Sequence, residues 1–212
     1  MKLGIPIYQG VNLLDVAGPL EMFFWAGRNR LETVLVSEDG KAVTSVNGVT
    51  FEAHASFAGA PALDILWVPG GLPERLEDIM RDPNAPYLNY LRQVAADAKW
   101  VCSVCEGALL LARAGLLDGH KATTHWEFVD CLKRFPAIDV DTSNPRPRFV
   151  VSGNRLTGGG ISSGLDEALQ LIKLEFGEDV AKGVQRSTQY FPQPPVMGTL
   201  PPNAPRCEMQ WE

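Results

Sequence analysis

The sequence is short of the features that mark several large classes of protein. It has four cysteines in 212 residues, at positions 102, 105, 131 and 207, and their spacing matches no zinc-binding pattern. They read as free thiols rather than a disulfide framework. No apolar run approaches the length of a membrane span, and the opening Met1-Lys2-Leu3-Gly4-Ile5-Pro6 lacks the apolar core of a signal peptide. The expected setting is cytoplasmic, with no membrane partner. Positive charge is also scarce: 19 Lys and Arg stand against 25 Asp and Glu, for a net charge of -6 and a pI near 5.1. Nucleic acid selects basic surfaces, so a small-molecule partner is expected instead. There is no internal repeat and no Walker or dinucleotide fingerprint, because Gly158-Gly159-Gly160 lacks the required spacing.

What is present suits one α/β domain over residues 1–191 followed by a proline-rich arm over 192–212. Strands are expected at 3–8, 31–37, 63–68, 100–104 and 121–124, all in one mostly parallel sheet, with a hairpin from Val43 to Phe51 around an Asn47-Gly48 primed turn. Helices are expected over 13–28, 84–98, 126–135, 163–176 and 178–187, and a strand pair over 139–142 and 148–152. The arm holds six prolines in 21 residues, too many for helix or central strand, so it either stays loose or lies across a partner subunit.

The most informative stretch is Lys99 to Ala112. Trp100, Val101 and Val104 favour a buried strand, Ala108 to Ala112 favours a helix, and Cys105 stands at the small-residue corner between them. This is the pattern of a nucleophile elbow, in which helix N–H groups facing the sulfur would favour thiolate. The competing readings are a buried structural cysteine, or a redox pair of Cys102 with Cys105, which the strand position of Cys102 disfavours.

Other candidates lie at the same expected sheet edge. Asp15 falls just after the first strand, where α/β folds bind ligands, although it also suits a first-turn acid; Asn12 suits a helix cap. Gly70 and Gly71 follow a buried strand and permit bare N–H groups to hold an oxyanion, or form an ordinary tight turn. His125 either assists catalysis or caps the next helix. His54 reads as a surface histidine. The three glycines ending at Gly160 imply a close backbone approach before Ile161.

Taken together, Leu14-Asp15-Val16-Ala17-Gly18-Pro19, Val68-Pro69-Gly70-Gly71, Ser103-Val104-Cys105-Glu106-Gly107, Ala122-Thr123-Thr124-His125-Trp126 and Leu156-Thr157-Gly158-Gly159-Gly160-Ile161 resemble the ThiJ/PfpI superfamily. They are most similar to its isocyanide (isonitrile) hydratase branch, over about residues 1–194; similar phrases occur in the sensor-like domain of some transcription regulators. The resemblance implies a flavodoxin-like three-layer sandwich, a homodimer, Cys105 as nucleophile and Asp15 as its acid–base partner. It further implies backbone donors at Gly70, Gly71 and Glu106, auxiliary roles for His125, Gly160 and Ile161, and no metal or other cofactor. Protease-like members place His directly after the nucleophile and the hydratases a small hydroxyl residue, whereas this chain has Glu106. The reactions implied are hydration of an isocyanide to an N-formamide, glyoxalase-like aldehyde chemistry, or thiol-based sensing without turnover.

Overall fold

A computed structural model describes every residue except Arg28 and Glu212. In chain order the elements are β1 (Lys2–Pro6), α1 (Leu13–Ala26), β2 (Glu32–Ser37), β3 (Val43–Thr44), β4 (Thr50–Phe51), β5 (Ala55–Ser56), β6 (Ile65–Val68), α2 (Pro73–Arg81), α3 (Pro86–Ala95) and β7 (Trp100–Ser103). There follow α4 (Gly107–Arg113), β8 (Lys121–Ala122), a 3-10 turn (Trp126–Phe128), α5 (Val129–Leu132), β9 (Asp139–Val140), β10 (Phe149–Ser152), β11 (Arg155–Gly158), α6 (Ser163–Phe176) and α7 (Glu178–Ser187).

The main sheet has the order β10-β11-β7-β6-β1-β2-β5, parallel throughout except for β10. β1, β6 and β7 lie at its centre and are continuously apolar because helices cover both faces. The step from β1 to β2 and the step from β6 to β7 run in opposite directions across the sheet. Right-handed crossovers then put α1 on one face and α2 and α3 on the other. α6 and α7 pack with α1, and α4 packs with α2 and α3. The result is the expected flavodoxin-like sandwich, and its topological switch point lies between the C-terminal edges of β1 and β6.

Several expectations are corrected. Residues 121–122 leave the main sheet and pair in parallel with 139–140, while 149–152 pairs with 155–158, so the expected strand pair does not form. The hairpin is a separate two-stranded ribbon, and only Gly48, not Asn47, has positive φ, because the Ser45–Val49 pairing makes the loop three residues long. α2 was not expected, and the helix over 126–135 shrinks to the 3-10 turn and α5. The helix after β1 ends at Ala26; its expected end at Arg28 lies outside the described residues.

The end of the arm is anchored on its own domain. Cys131 and Cys207 form a disulfide, so the cysteines are not all free. Beyond it, Met209 and Trp211 are buried, Trp211 stacks on Phe135 at 5.9 Å, and the Arg134 guanidinium lies 4.0 Å from the Trp211 ring centroid. The N–H of Gln210 donates to Glu77 Oε1 at 2.8 Å. Residues 192–206 remain mostly exposed between these anchors.

Candidate active site

The expected elbow is present. β7 ends at Ser103, and Cys105 takes φ +57°, a left-handed conformation that costs a non-glycine residue about 1 kcal/mol or more. Both its backbone groups are tied: its N–H donates to the Gly159 carbonyl at 2.9 Å, and its carbonyl accepts from Thr124 Oγ1 at 2.8 Å. Gly107 lets α4 begin against the β6 backbone, since a Cβ there would overlap the Val68 carbonyl.

Asp15 stands in the first turn of α1, fully buried. Its position follows from a proline four residues on. Pro19 has no N–H to give the Asp15 carbonyl, and Trp67 Nε1 on β6 supplies that bond at 3.2 Å. The side chain is held separately, Oδ2 accepting from the Gly70 N–H at 2.9 Å. Gly70 has an ordinary φ, so it is needed for close approach rather than for an unusual backbone angle: a Cβ would run into Glu106 and the Asp15 carboxyl.

These loops bring Asp15, Cys105 and Glu106 together, with one ligand atom of each within 4.8 Å of the others, the one such trio of potential metal ligands among the described residues. Asn12, expected as a helix cap, caps nothing with its side chain; its Nδ2 points into the cluster, 3.3 Å from Glu106 Oε2, 3.4 Å from Asp15 Oδ2 and 3.8 Å from Cys105 Sγ. Asn12 is the site residue that motif reading missed.

The electrostatics reverse one expectation. Burial pushes the Cys105 thiol well above its usual value, and Asp15 and Glu106 push it further, while the Ile161 N–H facing the sulfur opposes them. Burial, then Glu106, raises the Asp15 carboxyl to about 8 against the bonds from Gly70 and Asn12. Glu106 is raised as well, chiefly by burial. Asp15 and Cys105 therefore both favour their protonated forms at neutral pH, and a metal would have to displace those protons. Helix amides were expected to favour thiolate, but burial of the sulfur outweighs the one N–H facing it and favours the thiol.

The other expected residues fall as follows. The Gly70 N–H is taken by Asp15, and the Gly71 N–H and the Glu106 N–H face the Glu106 carboxyl. His125 caps the 3-10 turn, its Nδ1 accepting from the Glu127 N–H at 3.3 Å, and its ring lies against Gly160. Cys102 is buried within β7, and His54 is exposed, its Nδ1 accepting from the Leu35 N–H at 3.0 Å. A cavity of about 560 Å³ beside α1 and β2 has none of the trio in its wall. A cavity of about 310 Å³ lies against the elbow instead, with Thr124, His125, Gly160, Ile161 and the arm residue Leu200 in its wall.

The model of the DJ-1/PfpI family matches residues 1–174, and the chain belongs to that family. It is 38% identical over 205 residues to the isonitrile hydratase of Pseudomonas putida, covering 97% of this chain and 85% of that protein. It is 27% identical to the HTH-type transcriptional regulator GbdR of Pseudomonas aeruginosa, covering 98% of this chain but only 58% of the regulator. Of solved structures, a ThiJ/PfpI family protein from Pseudomonas syringae superposes with TM-score 0.83 at 33% identity, covering 92% of this chain and 77% of that one. DJ-1beta of Drosophila melanogaster shares the fold, with TM-score 0.76 at 17% identity over 89% of this chain and 97% of that one.

Proposed function

We propose that the chain hydrates an isocyanide to an N-formamide, with Cys105 as nucleophile and Asp15 as proton carrier. The observation that carries this reading is a buried carboxyl with a value near 8 held against a buried thiol at the switch point of the sheet. The likeness to an isonitrile hydratase supports it.

The reacting state is the minor one in which Cys105 has lost its proton while Asp15 keeps its own. The sulfur bonds to the terminal carbon of the isocyanide while Asp15 gives that carbon its proton, leaving a thioimidate and an Asp15 carboxylate. Water then adds to the same carbon; Asp15 takes one of its protons and passes it to nitrogen. When the carbon–sulfur bond breaks, Asp15 receives the hydroxyl proton, the N-formamide leaves, and both groups return to their starting state. Asn12 and Ile161 N–H steady the charges on carboxylate and sulfur. The homodimer and cytoplasmic setting implied by the resemblance belong to this proposal.

The test is conversion of a simple alkyl isocyanide by the purified protein, with methylglyoxal assayed beside it. Formamide that disappears in both Cys105→Ser and Asp15→Asn supports the reading; lactate without formamide transfers the site to glyoxalase-like chemistry. A second reading, sensing without turnover, is favoured by the likeness to regulators and by the complete burial of Cys105, and inactivity toward both substrates would select it.

A further inference from the structure

Arg146 plays no part in the chemistry above, yet it belongs to the wall of the 310 Å³ cavity beside the elbow. Its Nη1 is buried without a hydrogen-bond partner, and none of its nitrogens bonds or ion-pairs with a described residue. A buried donor left unmade costs about 1–3 kcal/mol, so Nη1 of this half-buried side chain is a donor suited to an acceptor in the cavity. Its neighbour Arg148 is already satisfied: Nε donates to Asp166 Oδ2 at 2.7 Å, and both Nη groups reach Ser162 Oγ at 3.2 Å. The first amides of α6 are satisfied too, turned back onto the carbonyls of Gly160, Ile161 and Ser162. Of the two arginines in this wall, Arg146 is therefore the one with a donor still unpaired. One planar guanidinium matches one planar monoanion, which is a carboxylate.

The placement ties that carboxylate to the reaction. Ile161, in the same wall, faces the Cys105 sulfur with its N–H, and Thr124 bonds the Cys105 carbonyl. Trp126, Pro147, Ile161 and Leu200 give the wall an apolar surface suited to a short hydrocarbon between the two ends. We propose that Arg146 anchors a carboxylate on the substrate, so that the preferred substrates are isocyanides carrying one carboxylate rather than neutral isocyanides. This rests on the hydratase reading and narrows its substrate class.

The experiment compares isocyanoacetate with its methyl ester as substrates, and N-formylglycine with its methyl ester as ligands by calorimetry. The wild type should prefer the acid to the ester by about tenfold or more in kcat/KM. Arg146→Gln should lower kcat/KM for the acid by about ten- to a hundredfold and the ester much less, abolishing the preference; Arg146→Lys, which keeps charge but loses the fork, should fall between. Equal losses for acid and ester, or no wild-type preference, overturn the proposal. If no isocyanide is turned over, the hydratase reading fails by itself. The subsite is then judged by binding: N-formylglycine held by the wild type and released by Arg146→Gln supports it, and equal binding by the two overturns it.

Discussion

Cys102 and Cys105 stand three residues apart, both with no exposed surface and both with thiols pushed up by burial. Cys102 lies in regular strand, paired in register with Trp67 and Leu156. Cys105 lies in a left-handed turn with Asn12, Asp15 and Glu106 around its sulfur. Neither burial nor the direction of the shift separates the two thiols. The difference is a neighbour that can exchange a proton with the sulfur and a backbone that aims the side chain at that neighbour.

The comparison breaks first on activity. Cys105→Ser and Asp15→Asn should each lower kcat for isocyanide hydration by about a thousandfold or more, whereas Cys102→Ala should keep most of it, and steady-state rates of the three variants decide the matter. Next in size is the elbow itself: Gly107→Ala drives a Cβ into the Val68 carbonyl, which backbone cannot yield cheaply, and should cost about 3 kcal/mol or more in urea unfolding. The second pair of cysteines sharpens the contrast, since its role is tethering. Cys207→Ser opens a link across 76 residues of sequence and should cost about 2–4 kcal/mol while exposing residues 192–206 to limited proteolysis.

The smallest effect is in pH. Folding raises Asp15 from 3.8 to about 8, so the stability it contributes is complete below the lower value and is lost as pH rises through the higher one. Asp15→Asn should therefore gain in Tm relative to the wild type, by a few degrees, between pH 6 and pH 9. Activity that needs the protonated carboxyl should fall over the same alkaline range, and a flat rate profile up to pH 9 would contradict the role given to Asp15.

Much of this arrangement was legible in the sequence because it is local. The change from β-branched residues to Ala and Leu around Cys105 is visible within a dozen residues, and α6 and α7 carry their boundaries in Ser163, Gly177 and Ser187. What escaped was set by distance along the chain. The direction of the Cys105 shift depends first on burial beneath distant segments and then on Asp15, ninety positions earlier, and the Cys131–Cys207 bond depends on the path of the arm. Asn12 has the chemistry of a cap, and only the approach of Glu106 shows that its amide is needed elsewhere. α2 had a readable start in Pro73, but its largely polar composition, with Leu76 and Met80 as its buried residues, hid the helix.

The topology has a consequence for how such a pocket can be altered. The groups proposed to react stand near the ends of β1, β6 and β7 at the middle of the sheet, whereas Arg146, Pro147 and Arg148 of the cavity wall belong to the approach to β10 and Leu200 belongs to the arm. The tools and the gauge are thus mounted on separate lengths of chain. On the hydratase reading, exchanging residues 144–148 and 196–203 for other sequences should change which molecules are admitted while the groups proposed to make and break bonds stay where the central strands hold them.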